Sequence, residues 1–134
     1  MRKTYLLALV TAFFAACQES LEERCAKEVS MYNQKNCPAQ LSENIFMDSI
    51  TFDPATHTIH YHYTLTGMAD TALADKQQEV RGALLNELKN APGMAVYKDA
   101  GYRFHYRYMS QKHPARVLYD LLFTEKDYKR KTEL

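Results

Sequence analysis

Residues 102–110 alternate strictly, with Tyr102, Phe104, Tyr106 and Tyr108 on one side and Arg103, His105, Arg107 and Met109 on the other. A period of two is the mark of a β-strand. Aromatic residues on one face and basic residues on the other commit that strand to a sheet covered on one side only. Residues 116–124 repeat the pattern through Val117, Tyr119, Leu121 and Phe123, after a turn at Gln111-Lys112-His113-Pro114. Upstream, residues 45–53 and 58–66 read as a hairpin around Asp53-Pro54-Ala55-Thr56-His57. In its second strand Ile59, Tyr61, Tyr63 and Leu65 share one face, and His60, His62, Thr64 and Thr66 the other.

Helices fill the intervals. Ser20 is placed to cap a helix reaching about Asn33, with Glu22 and Glu23 in its first turn and Leu21, Cys25, Val29 and Tyr32 at helical spacing. Asn36-Cys37-Pro38 ends it. A second helix is predicted over residues 71–90 from Leu73, Val80, Leu84 and Leu88, and a short third one between Pro92 and Gly101 containing Met94, Val96 and Tyr97. The expected fold is therefore a single α+β two-layer sandwich of about four mainly antiparallel strands, with helices on one face in the order α-β-β-α-α-β-β. The outward face would carry His60, His62, Arg103, His105 and Arg107.

The amino terminus carries an address. Arg2 and Lys3 precede an apolar run over residues 5–14, then Ala15, Ala16 and Cys17. That run is about half the roughly 20 residues a membrane-spanning helix needs. Phe14-Ala15-Ala16-Cys17 resembles the bacterial lipobox, with Phe14 where Leu is usual. The resemblance covers residues 1–17 and implies a signal peptide over residues 1–16 and a lipid on Cys17. A domain over residues 17–134 would then be held at the bacterial envelope, at the outer membrane because Gln18 is not the aspartate of inner-membrane retention. The alternatives are cleavage elsewhere, an uncleaved anchor, and a helix inside a cytosolic core. Stable anchoring would need more than one acyl chain.

With Cys17 lipidated, Cys25 and Cys37 remain as a candidate disulfide or as two separate thiols, and no Cys-x-x-Cys spacing suggests metal or redox chemistry. Net charge is +1, and removal of Arg2 and Lys3 leaves the mature chain nearly neutral. Nucleic acid is therefore discounted as a partner. Lys126, Lys129, Arg130 and Lys131 read as a solvated tail.

Asn36-Cys37-Pro38, Asp48-Ser49-Ile50, Tyr61-His62-Tyr63-Thr64-Leu65, the Tyr/Phe-rich third strand and Thr124-x-x-Asp127-Tyr128 are together similar to small exported lipoproteins of bacteria, mostly without an assigned function. The resemblance spans most of residues 33–128. It implies the fold and the compartment, and it carries over no catalytic residue.

Among chemical constellations, His60, His62 and His105 form a three-histidine set of the kind that binds catalytic zinc, provided their strands are neighbours in register. Arg103 and Arg107 on the same face oppose a dication, no carboxylate lies between the histidines, and Asp120 is placed to orient a ligand. The competing reading is an exposed Tyr/His/Arg surface, with Arg103, His105 and Arg107 as binding-face candidates for a protein or glycan. No Gly-x-Ser-x-Gly elbow or Gly-rich phosphate loop occurs, so no cofactor is expected. Glu22 with Glu23 and Asp70 with Asp75 read as structural carboxylates on solvated faces. The leading expectation is a membrane-anchored, non-enzymatic binding or envelope-assembly module. The alternatives are a zinc-dependent hydrolase at the three histidines and an inhibitor or immunity-type lipoprotein acting on an envelope enzyme.

Overall fold

A computed structural model describes residues 19–72 and 75–129. The lipidation expected at Cys17, the signal segment, and Arg130 and Lys131 lie outside the described residues.

Helix α1 (Leu21–Asn36) starts at Ser20, whose Oγ accepts from the Glu23 N–H at 3.1 Å. It runs three residues past the expected end and stops at Cys37, where the following proline disfavours another helical residue. Three strands follow: β1 (Ala39–Ser42), β2 (Ile45–Asp53) and β3 (Thr58–Leu65). A helical crossover of α2 (Ala69–Ala72), α3 (Gln77–Asn90), a 3₁₀ turn (Pro92–Met94) and α4 (Ala95–Asp99) leads to β4 (Arg103–Ser110), β5 (Val117–Phe123) and α5 (Glu125–Tyr128).

The five strands lie in the order β1-β2-β3-β4-β5. Both expected hairpins, β2/β3 and β4/β5, are antiparallel, as is β1/β2. The join between the hairpins departs from the mainly antiparallel, four-stranded expectation, because β4 runs parallel to β3. Helical crossovers are what parallel neighbours require, and the segment from α2 to α4 provides one. The fifth strand, β1, adds a short edge that is mostly exposed. The expected long helix is divided between α2 and α3.

One sheet face is the core. Tyr61 stacks on Tyr106 at 4.7 Å between ring centroids and Tyr63 on Tyr108 at 4.5 Å, each pair being register partners across the parallel seam. Leu65, Phe104 and Phe123 are fully buried beside them. Two deep polar contacts fasten the ends of the sheet. Asp70, expected on a solvated face, is buried, and its Oδ2 accepts from the Ser110 hydroxyl at 2.7 Å and the Lys112 N–H at 3.1 Å. The Tyr128 hydroxyl donates to the Tyr102 carbonyl at 2.7 Å, so part of the expected solvated tail is a docked helix.

Cys25 and Cys37 are both free thiols. The bridge considered from their even count is incompatible with α1: twelve residues of helical path separate them by about 18 Å, against the roughly 4.4–6.8 Å between Cα atoms that a disulfide spans. Burial pushes the Cys25 thiol up to about 11, which leaves it unreactive at neutral pH.

Candidate functional site

The helices cover only one face of the sheet, and the other face bears the residues singled out by the alternation. Parallel pairing sets Thr58 beside Arg103, His60 beside His105, and His62 beside Arg107. Antiparallel pairing adds Asp120 opposite Arg107. The condition that the histidine strands be neighbours in register is thus met. His60 Nδ1 and His105 Nδ1 stand 2.7 Å apart, with the rings nearly perpendicular.

Behind them, His105 Nε2 donates to Asp120 Oδ1, and Arg107 Nη2 donates to Asp120 Oδ2 at 3.3 Å. Burial raises the Asp120 carboxyl, but the hydrogen bonds from His105 and Arg107 outweigh it and hold the group below its ordinary value. Arg107 is therefore a partner of Asp120, while its charge is still felt at His60 and His62. His62 sits one pleat along, its ring 6.3 Å from that of His60, and its Nε2 meets Thr51 Oγ1 at 3.0 Å. Burial, then the neighbouring His105 and further positive charge, lowers both His60 and His62 below the usual histidine range.

The three imidazoles form a corner at His60, with His105 across the strand seam and His62 along the same strand. Among the described residues, no group of three or more His, Cys, Asp or Glu side chains is arranged to hold a metal ion. Arg103, the remaining binding-face candidate, lines a polar pocket with Gly101, Thr124, Glu125 and Lys126.

The covered face holds a feature that alternation did not show. Helix α1 packs over β2, whereas α3 packs towards β5 and α5. Between them, a cavity of about 190 Å³ is walled by Cys25, Val29, Tyr32, Ile50, Ile59 and Tyr61, with Met94 and Tyr97 at one end. A second cavity of about 170 Å³ continues past Tyr61 and Met94 to Tyr63, Tyr106, Leu88 and Glu87. Tyr61 donates to the Met94 sulfur at 3.8 Å where the two meet. The result is a groove between α1 and α3 with a tyrosine floor, apolar along α1 and of mixed polarity beside Glu87, and Tyr32 is 39% exposed at its mouth. Glu28 stands at the rim, where its carboxylate takes the Tyr97 hydroxyl at 2.5 Å and Arg24 Nε at 2.8 Å. The signal available in the sequence was the Val29/Tyr32 stripe on α1, which reads equally well as ordinary core.

Solved structures share this fold. A Pseudomonas aeruginosa protein described as secreted superposes with a TM-score of 0.66 at 14% identity, over 83% of this chain and 99% of its own. EpsS, the pilotin of the Vibrio vulnificus type II secretion system, does so with 0.65 at 11% identity, over 83% and 94%. AspS, the type II secretion pilotin of Vibrio cholerae, gives 0.61 at 14% identity, over 85% and 97%. At these identities the likeness is one of fold. No curated protein matches the sequence. Residues 20–119 match a domain of unknown function, DUF8479, and with most of its length matched the chain belongs to that family.

Proposed function

We propose that this protein is a bacterial lipoprotein, anchored through Cys17, that serves the cell envelope as a non-enzymatic binding or assembly module, and that the groove between α1 and α3 is its working surface. The observation that carries this reading is the groove itself. A trough floored by Tyr61, Tyr63 and Tyr106, apolar along α1 and of mixed polarity beside Glu87, opens between the two helices. A groove of that character suits the apolar face of a peptide segment, with aromatic side chains supplying contact area at low entropic cost. The fold shared with two type II secretion pilotins supports an assembly role over a catalytic one. The outer membrane is the destination that Gln18 favours.

Two measurements test this on the full chain in its host. Cys17→Ser should move the protein from the detergent-soluble membrane fraction to the soluble envelope fraction, and a variant still sedimenting with membranes contradicts the anchor. A photo-crosslinking phenylalanine at position 32 should yield a discrete adduct with one envelope protein, and Met94→Lys should abolish that adduct without loss of folded protein. Absence of any adduct at position 32, with one formed from the β5 edge instead, would move the working surface elsewhere.

A further inference from the structure

Two imidazole nitrogens 2.7 Å apart, as His60 Nδ1 and His105 Nδ1 are, hold one proton between them. Two protons would collide, and none would oppose two lone pairs. The far side of His105 fixes where that proton sits when both rings are neutral. His105 Nε2 carries a proton because it donates to the Asp120 carboxylate. Its Nδ1 is then a bare lone pair aimed at His60, and His60 Nδ1 supplies the shared hydrogen. A carboxylate behind an imidazole, with the opposite nitrogen presented outward beside a second imidazole, is how metal-binding histidines are oriented.

We propose that His60 Nδ1 and His105 Nδ1 form a binding site for a borderline first-row divalent cation of the zinc class, the ion replacing the shared proton and Asp120 orienting His105 from behind. The proton inventory closes without a further reactant. His60 passes its hydrogen from Nδ1 to Nε2, His105 keeps its own on Nε2, and the aquo ion exchanges two waters for two nitrogens. Zinc–nitrogen bonds of about 2.0–2.1 Å at a tetrahedral angle place the nitrogens about 3.3 Å apart, so the pair opens by roughly 0.6 Å. Rotation of two side chains on adjacent strands can supply that movement without disturbing the ladder.

The surroundings fit an ion of this charge. Among the described residues no helix covers this face, so water can fill the remaining coordination positions, and His62 stands beside His60 as a further imidazole held by Thr51. Arg107 is engaged by Asp120. Asp53, at the end of β2, adds negative charge felt at His60. Two protein nitrogens and solvent make an exchangeable site, which separates this inference from a zinc hydrolase with a three-histidine set.

Zinc alone is the probe, titrated into the full chain in detergent micelles, with histidine ring ¹⁵N resonances and calorimetry as readouts. The expected result is one zinc per chain, with both Nδ1 resonances shifting and His60 converting to its Nε2–H tautomer. Asp120→Asn should weaken binding roughly tenfold or more, and the double variant His60→Gln/His105→Gln should abolish it. Unmoved His60 and His105 ring resonances in the unaltered protein up to about 100 µM zinc overturn the site. So does zinc binding that survives in the folded double variant, which would assign it to His57, His62 or His113. The ring resonances of the unaltered protein decide the question even where a variant does not fold.

Discussion

The side chain of Asn33 grips the backbone of Ile50 at two points, Nδ2 donating to the carbonyl at 2.5 Å and Oδ1 accepting the N–H at 2.7 Å. Strand β1 pairs with β2 only as far as Met47, just before the β2 bulge, so Ile50 has no strand partner on that edge. One amide on α1 thus takes the place of a missing strand residue and ties the helix to the sheet. Asn33→Ala should lower unfolding free energy by about 1–3 kcal/mol, because both Ile50 groups lose their partner. Amide exchange at Ile50 should rise while that at Tyr106, in the middle of the sheet, follows only global stability. An unchanged exchange rate at Ile50 would contradict the clamp.

Acid should act through Asp70. Hydrogen bonds from Ser110 and the Lys112 N–H hold its carboxyl below the ordinary aspartate value. A folded value below the unfolded one contributes stability that is present above about pH 4 and is lost as pH falls through the folded value. Asp70→Asn should therefore lower stability near neutrality and flatten its decline in acid. Urea unfolding at a series of pH values checks this, and parallel acid limbs in the two proteins would count against it.

At Gly101 the backbone has φ +77°, and an added Cβ would meet Glu125 Oε2 at 2.8 Å. Gly101→Ala should cost about 1–2 kcal/mol from the left-handed conformation alone. Combining it with Glu125→Ala should recover only the steric share, as thermal melts of the single and double variants will show.

Thiol chemistry should follow burial. Alkylation of the native protein should label Cys37, and Cys25 only after denaturation, with two labels on this pair and no bridged species by mass. A mass two hydrogens lighter and resistant to alkylation would mean that α1 unwinds to let the sulfurs meet.

The sheet was legible in the chain because its strands advertise themselves locally. Tyr102 to Ser110 alternates without interruption, and Asp53, whose carboxylate accepts from Ala55 N–H and the Thr56 hydroxyl, marks the hairpin turn by its own chemistry. The membership of the outer face was legible for the same reason, since parity puts His60, His62, His105 and Arg107 on one side, whereas bringing His60 beside His105 took the strand order. Strand direction was not, because alternation along β4 is identical whichever way its neighbour runs. Strand β1 has only four residues, three of them exposed, and gives no period to read. Asp70 looked solvated because its partner Ser110 lies far along the chain, and a lone carboxylate carries no trace of a distant hydroxyl. The groove escaped notice because Val29, Tyr61 and Tyr106 have the same apolar pattern whether the helices above them meet or part.

The parallel seam between β3 and β4 joins segments that lie well apart in the chain, separated by residues 66–102. Each ribbon on either side can zip from its own turn, but the seam must wait for a long loop to close, the slowest kind of contact to form. Until then the nascent molecule shows an eight-residue unsatisfied edge carrying Tyr61, Tyr63 and Leu65, an adhesive stretch that other chains can pair with. The vulnerable period in this protein's life is therefore the interval between the zipping of its first ribbon and the arrival of its fourth strand.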